Sequence, residues 1–431
     1  GYALYAESEK TSLQKHNNQL DMTKDFWQWN PLKNKENSMD LKIKPIKNNV
    51  FYIGSKDANR QLFDQLVPLP QGTTYNSYLV KGSEKTAIVD TDYPKKLEEY
   101  KKRLQENNID HVDYIISNHA EQDHSGGIPM LLEMFPDAKV VTNAKVKENV
   151  MNMLHVEEDK FIVINDGDEL SLGDKTFQFI LAPFVHWPDT MFSYLKEDKM
   201  LFTCDFLGAH YTKHDLFADY TENLVEAAKR YYAEIIMPFR SFAKKYTDRV
   251  KEMDVDIILP SHGPVYDKPE WILDLYADWT SDRVENKVVI PYVSMYDSTT
   301  MLVNRLNEKL TEAGIDVKLF DLVHCDEGAL SMELVDCATV VLGSSMVLAG
   351  PHPAAVTAAY LVNALRPKLR YYSIIGSYGW GGNLEGTIEK MFTIIKPEKL
   401  DYVVVKGQPR QADFEKIDAL AAQIIEKHKS L

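Results

Sequence analysis

The stretch that most constrains this chain is Asn118-His119-Ala120-Glu121-Gln122-Asp123-His124-Ser125-Gly126-Gly127. Four potential metal ligands fall within six positions, directly after the apolar run Tyr114-Ile115-Ile116. That run reads as a buried strand ending near Ser117, and the glycines with Pro129 mark a loop that then enters a helix. A loop at the C-terminal end of a strand lets the backbone bend, so neighbouring side chains can converge on one point. Two imidazoles and two carboxylates, with no thiolate, suit iron, manganese or zinc better than a soft-ligand metal. A solvated polar loop would account for a single His-x-Glu. It does not account for four ligating side chains this close together.

A chain of 431 residues has room for two or more cores. Its 44% hydrophobic content excludes a disordered chain. The net charge of −15 argues against a broad nucleic-acid or anionic-membrane surface. No apolar run approaches the roughly 18 residues that span a bilayer. The opening Gly1-Tyr2-Ala3-Leu4-Tyr5 is too polar beyond Leu4 for a secretory signal. Three cysteines, Cys204, Cys325 and Cys337, form no C-x-x-C pair, which argues against a disulfide framework and for a cytoplasmic location.

Residues 1–45 read as a polar, Lys/Asn-rich extension with one apolar knot, Phe26-Trp27-Gln28-Trp29. From 46 to 286, many short strands with helices outside them predict an αββα sandwich. Further candidate ligands stand where these strands end. His186 follows the strand closing at Leu181, Asp205 follows Leu201-Phe202-Thr203-Cys204, and His262 follows Ile257-Ile258-Leu259-Pro260-Ser261. Seven side chains exceed the four to six ligands that one ion takes, so two metals are expected, with a carboxylate holding them roughly 3.5–4 Å apart. Asp205, alone between the His-bearing loops, is the natural bridge. His210 could line the pocket, or be a supporting or surface histidine. Cys204 is expected to be a core residue pointing away from Asp205, because neighbours on a strand face opposite sides.

Near residue 287 the rhythm changes to strictly alternating strands and helices through 431, which predicts a doubly wound parallel sheet of five strands. Such sheets bind ligands at the carboxyl ends of their strands. The first loop there offers Ser294, Met295, Tyr296, Ser298 and Thr299 ahead of a helix N-terminus suited to a phosphate. The second offers Gly343, Ser344, Ser345, Met346 and Val347; the third, Ser377, Tyr378, Gly379, Trp380, Gly381 and Gly382. Aromatic rings flanked by glycines allow a planar ring to stack while the backbone approaches it.

His-x-Glu-x-Asp-His at 119–124 with His186, Asp205 and His262 resembles the diiron site of flavodiiron proteins, on a metallo-β-lactamase-like fold. Zinc hydrolases of the wider superfamily usually carry His-x-His-x-Asp-His; Glu121 here makes the site harder and more anionic, which favours iron. The resemblance implies that His119, Glu121 and His186 hold one iron and Asp123, His124 and His262 the other, with Asp205 bridging. The second half resembles a flavodoxin, which implies FMN with its phosphate on the first loop and its ring between the other two. The activity so implied is reduction of O2 to water, of NO to N2O, or of both, with electrons relayed through FMN from rubredoxin or another reduced donor. A head-to-tail homodimer, or a dimer of dimers, is implied as well. The rival expectation is a dizinc hydrolase with a flavodoxin-like regulatory module.

Overall fold

Residues 41–431 are described by the computed structural model, and Leu41–Leu431 form one compact unit. The expected extension, with its Phe26–Trp29 knot, lies almost wholly outside the described residues. Among the described residues no helix is long and apolar enough to cross a membrane.

Two sheets face each other in the first part. The seven-stranded one runs, in spatial order, Lys44–Lys47, Val50–Tyr52, Tyr78–Lys81, Thr86–Val89, Tyr114–Ile116, Lys139–Asn143 and Phe161–Ile164. The five-stranded one runs Glu169–Ser171, Thr176–Leu181, Met191–Leu195, Met200–Cys204 and Ile257–Pro260. Side-chain alternation explains the layering. Tyr78, Val80, Val89, Ile116 and Val141 point inward to meet Phe177, Phe179, Met191, Phe202 and Leu259 of the other sheet. Leu79, Ile88, Ile115 and Val140 point outward, onto the helices Leu97–Glu106, Ile128–Met134 and Ala144–Leu154. Ile180, Phe192, Leu201 and Ile258 do the same for the helices Glu222–Tyr231, Arg240–Lys251 and Pro269–Thr280. Each buried aliphatic side chain contributes about 1.5–3 kcal/mol by leaving water. A one-residue slip would exchange the two faces of a strand, so register is firmly set. The result is the expected αββα sandwich. Parallel pairing of Thr86–Val89, Tyr114–Ile116 and Lys139–Asn143, and of Met200–Cys204 with Ile257–Pro260, sends the ligand-bearing loops out at carboxyl ends of strands.

The third sheet is ordered Asp316–Asp321, Glu285–Val293, Cys337–Val347, Tyr371–Tyr378 and Val403–Lys406, all parallel. Helices Ser298–Glu312 and Gln411–His428 cover one face through Leu302, Leu306, Leu310, Ile417, Leu420 and Ile424. The five expected strands are present, and two-residue strands Gly350–Pro351 and Glu398–Lys399 add to them.

Several elements differ from expectation for identifiable reasons. The strand Cys337–Val347 runs four residues past the expected end at 343, because Leu348 and Ala349 (φ 53° and 61°) turn it back into a hairpin with Gly350–Pro351. The helix Glu222–Tyr231 gives way to a π turn at Tyr232–Ile236. Pro238, which lacks an N–H, sits in the short 3₁₀ turn that follows. The helix after the fourth long strand of this sheet stops at Glu389, and downstream the Ile394 N–H donates to Asn363 Oδ1 at 2.9 Å.

Candidate metal centre

All seven expected side chains meet in one pocket. His119, Glu121, His186 and Asp205 form one group of potential ligands, and Asp123, His124 and His262 form another. Asp205 faces both. Its Oδ2 lies 3.7 Å from His119 Nε2 and 3.4 Å from His186 Nε2, and its Oδ1 lies 3.0 Å from His124 Nε2 and 3.3 Å from His262 Nε2. Glu121 Oε2 stands 3.2 Å from His119 Nε2 and 3.3 Å from His186 Nε2. Asp123 places Oδ1 3.3 Å from His124 Nε2 and Oδ2 3.3 Å from His262 Nε2. Donor atoms bound at about 2.1 Å to a common tetrahedral ion stand about 3.4 Å from one another. The observed spacings match two such polyhedra sharing a carboxylate.

The pocket also passes a test of chemical need. Both oxygens of Asp123 and the Nε2 atoms of His124, His186 and His262 are buried without a hydrogen-bond partner. Buried polar atoms left unpaired are rare and costly. Five of them converging on one place match the donors of a metal pair.

Supporting contacts aim the imidazoles. His119 Nδ1 donates to Asp189 Oδ1 at 2.8 Å, and His262 Nδ1 donates to the Thr74 carbonyl at 2.5 Å. Each bond puts the ring proton on Nδ1 and leaves the Nε2 lone pair facing the pocket. Asp189 is itself held by Asn149 Nδ2 at 2.9 Å. Asp90 accepts from Asn118 N (2.8 Å), Asn118 Nδ2 (3.0 Å) and Ser261 Oγ (3.3 Å), tying together the loops that carry His119 and His262. The Tyr231 hydroxyl donates to Asp205 Oδ1 at 3.0 Å. Gly263, at φ +84°, lets the backbone turn after His262; a Cβ there would stand 2.7 Å from the Ala209 carbonyl.

The electrostatics favour positive charge here. Burial works against charged histidine, yet the carboxylates 3.3–3.4 Å from each Nε2 outweigh it, raising His186 to about 9 and His262 to about 10. Burial likewise opposes ionised Asp205, but the His124 charge and the surrounding imidazoles hold it well below the usual carboxylate range. Protons and metal cations compete for the same Nε2 lone pairs, so a pocket with this field suits cations.

His210 stands beside the centre. Its Nδ1 lies 2.8 Å from Thr73 Oγ1, its ring 5.2 Å from that of His262, and its Nε2 is buried without a partner. Cys204 departs from expectation: its Sγ lies 3.9 Å from Asp205 Oδ2 instead of pointing away. Its φ of 52° breaks the strand's alternation at that residue. Burial pushes the thiol well above its usual range, and Cys204 stands with His124 and Asp205 in a third, overlapping group of potential ligands. Sequence reasoning gave no supporting role to Asp189, Thr74, Tyr231 or Asp90.

The three loops expected to hold a flavin come together at the carboxyl edge of the third sheet, where Val293 pairs with Ser344 and Ser345 with Ser377. Thr299 Oγ1 lies 3.0 Å from Ser377 Oγ, and Ser294 Oγ accepts from the Thr300 N–H at 3.3 Å. Ser345 Oγ is buried without a partner. Tyr296, Trp380 and Met295 stand exposed around the edge, and a Cβ at Gly379 or Gly381 would meet nothing. A polar cradle bordered by exposed rings and open backbone fits a planar, phosphorylated ligand.

Comparison with known proteins adds independent findings. A family model described as "ODP family beta lactamase" matches residues 73–263. A coenzyme F(420)H(2) oxidase from Methanothermobacter marburgensis is 32% identical, over 90% of this chain and 100% of its own length. A nitric oxide reductase from Moorella thermoacetica is 32% identical, over 88% of this chain and 97% of its own. Among solved structures, the rubredoxin:oxygen oxidoreductase of Desulfovibrio gigas superposes with a TM-score of 0.86 at 28% identity, covering 90% of this chain and 99% of that one.

Proposed function

The chain belongs to the flavodiiron proteins, and from that premise we propose how its own residues serve the reduction of O2, NO or both that its relatives' names describe. It is an oxidoreductase with FMN and a diiron centre, fed by an external electron donor. When bound, the irons supply redox chemistry on a diatomic gas and the FMN supplies the electrons for it. His119, Glu121 and His186 would hold one iron and Asp123, His124 and His262 the other, with Asp205, which faces both groups, available to both. Asp189 and Thr74 keep His119 and His262 in the tautomer that can ligate. Tyr231 and His210 border the space where the gas arrives. Ser294, Ser298 and Thr299 would receive the FMN phosphate, and the segments 343–347 and 377–382 would flank its ring. The observation that carries this reading is the split of seven donors into two groups around Asp205.

The same reading assigns 46–286 to the metal-bearing domain and 287–431 to the flavodoxin-like one, which the start of the third sheet at Glu285 supports. It also assigns a head-to-tail homodimer, or a dimer of dimers, supported by the exposed Tyr296, Leu348 and Trp380 at the flavin edge, where a partner's metal face would cover them. Rubredoxin is the proposed donor, with a reduced deazaflavin as the other source its relatives suggest. The cytoplasm is the proposed location, in keeping with three unpaired cysteines. The test is anaerobic turnover of each gas with chemically reduced rubredoxin, alongside metal analysis and a visible spectrum. Iron, a flavin band and gas consumption are expected. Zinc without a flavin band, and no consumption, would instead support a dizinc hydrolase.

A further inference from the structure

Cys204 stands where a regular strand would turn it away from the pocket. Neighbours on a strand face opposite sides, yet at Cys204 the backbone enters the left-handed region, φ 52°, and Sγ comes to 3.9 Å from Asp205 Oδ2. The backbone is pinned in that conformation. The Ser261 N–H donates to the Cys204 carbonyl at 2.7 Å, and Cys204 pairs with Pro260 just past the register shift that ends the two strands. A non-glycine residue at positive φ is uncommon, and here it delivers a thiol to the metal pocket.

His124 supplies a second, independent observation. His119 and His262 each commit Nδ1 to a partner, Asp189 and the Thr74 carbonyl. His124 is 1% exposed and leaves both ring nitrogens buried without a hydrogen-bond partner. A ligating histidine almost always gives its second ring nitrogen to a supporting group. No such contact fixes the set of ligands that His124 serves. One ring nitrogen of His124, Cys204 Sγ and one Asp205 oxygen all lie within 4.8 Å of one another. A tetrahedral ion with sulfur at about 2.3 Å and nitrogen or oxygen at about 2.1 Å sets those donors about 3.6 Å apart. The Cys204–Asp205 spacing of 3.9 Å and the His124–Asp205 spacing of 3.0 Å lie within small side-chain adjustments of that polyhedron.

We infer that His124, Cys204 and Asp205 form a thiolate-containing site for a thiophilic divalent cation, zinc or cadmium, which overlaps the second iron position and excludes iron from it. The thiolate site rests on the pocket geometry; the exclusion of iron rests also on the diiron reading above. Nitrogen and oxygen donors already favour zinc over ferrous iron, and a thiolate widens the margin. On binding, one sulfur–metal bond forms and the thiol proton passes to water, since a coordinating thiol is deprotonated outright. No electron moves. His124 and Asp205 are then withdrawn from Asp123 and His262, so one iron per chain is lost, while His119, Glu121 and His186 keep the other.

The test uses the full chain with its flavin, stripped of iron by a chelator and titrated anaerobically with cadmium chloride alone. Cadmium-edge X-ray absorption should show sulfur among nitrogen and oxygen donors, and the ultraviolet difference spectrum should gain a thiolate-to-cadmium band worth one thiolate per chain. In Cys204→Ser the band and the sulfur shell should vanish, and cadmium affinity should fall by about tenfold or more, at least the loss that removing a mere supporting partner brings. Cys325→Ser, which removes the half-buried thiol of the flavodoxin-like part, should keep both signals. Cadmium added to the iron-loaded protein should release one iron per chain from the wild type, and less readily from Cys204→Ser. Flavin content and thermal midpoint report whether the variants fold, and the cadmium shell of the wild type decides the matter without them. A shell lacking sulfur, or a band that survives Cys204→Ser, overturns the site. Both irons retained beside a sulfur-bound cadmium overturns the overlap. A wild type that takes up no iron overturns the diiron reading, while the cadmium shell still reports on Cys204.

Discussion

Replacing Asp189 by asparagine separates the aiming of a ligand from the ligand itself. Asp189 Oδ1 accepts from His119 Nδ1 at 2.8 Å, and its carboxylate accepts from Asn149 Nδ2 at 2.9 Å. Both neighbours donate, so a carboxylate satisfies both and an amide satisfies only one. If the new NH2 faces Asn149, two donors oppose each other in a buried place. If it faces His119, the imidazole must accept at Nδ1 and carry its proton on Nε2, the atom that should ligate. Loss of such a supporting partner typically costs 10- to 100-fold in metal affinity, which is about 1.4–2.8 kcal/mol. The backbone of residue 189, held through its carbonyl by Asn143 Nδ2 at 2.7 Å, should stay in place. The assay is iron retention against a graded chelator, with the flavin content as internal reference. One of the two irons should become easier to remove, and the group holding Asp123, His124 and His262 should be little affected. Unchanged affinity for both ions would refute the idea that Asp189 sets the tautomer of His119.

Gly263→Ala must strain a residue at φ +84° and press a Cβ to 2.7 Å from the Ala209 carbonyl. A non-glycine forced into such a conformation costs about 1–3 kcal/mol, so thermal stability and iron content should fall together, read by calorimetry and metal analysis. Asp336 accepts from Lys287 at 2.7 Å and Lys229 at 2.6 Å; burial would raise its carboxyl, but the two ammonium groups hold it below the usual range. Because the folded value lies below the unfolded one of about 3.9, this contribution to stability is fully present above about pH 4 and is lost as pH falls through the folded value. Asp336→Ala should destabilise at pH 7 by less than the about 3–5 kcal/mol of a fully orphaned buried charge, because Lys287 keeps Glu333 at 2.9 Å and Glu285 at 3.2 Å. Denaturant melts of the variant and the parent check this.

Much of this molecule can be read from its residue order. The ligand loop declares itself because four donors sit within six positions, and His186, Asp205 and His262 stand at strand ends that apolar runs mark out. The alternating rhythm after 287 likewise foretells a parallel sheet, since that pattern has few other stable solutions. The supporting residues were hidden for a physical reason: their meaning lies in partners distant along the chain. Asp189 is 70 positions from His119, and Thr74 is 188 from His262. Nothing local distinguishes either from an ordinary polar residue. Met191–Leu195 escaped notice because Ser193 and Tyr194 interrupt its apolar run, although Ser193 is buried and its hydroxyl donates to Asn118 Oδ1 at 2.6 Å. The π turn at Tyr232–Ile236 was equally silent, its residues being good helix formers up to Pro238.

X-ray absorption at the iron edge of the purified, iron-loaded chain, with metal counted per flavin, addresses the pairing around Asp205 without intermediaries. Two irons per chain, roughly 3.5–4 Å apart in a nitrogen- and oxygen-donor shell, is the predicted result. A single iron, sulfur in the shell from Cys204, or two ions without a short iron–iron vector would contradict it.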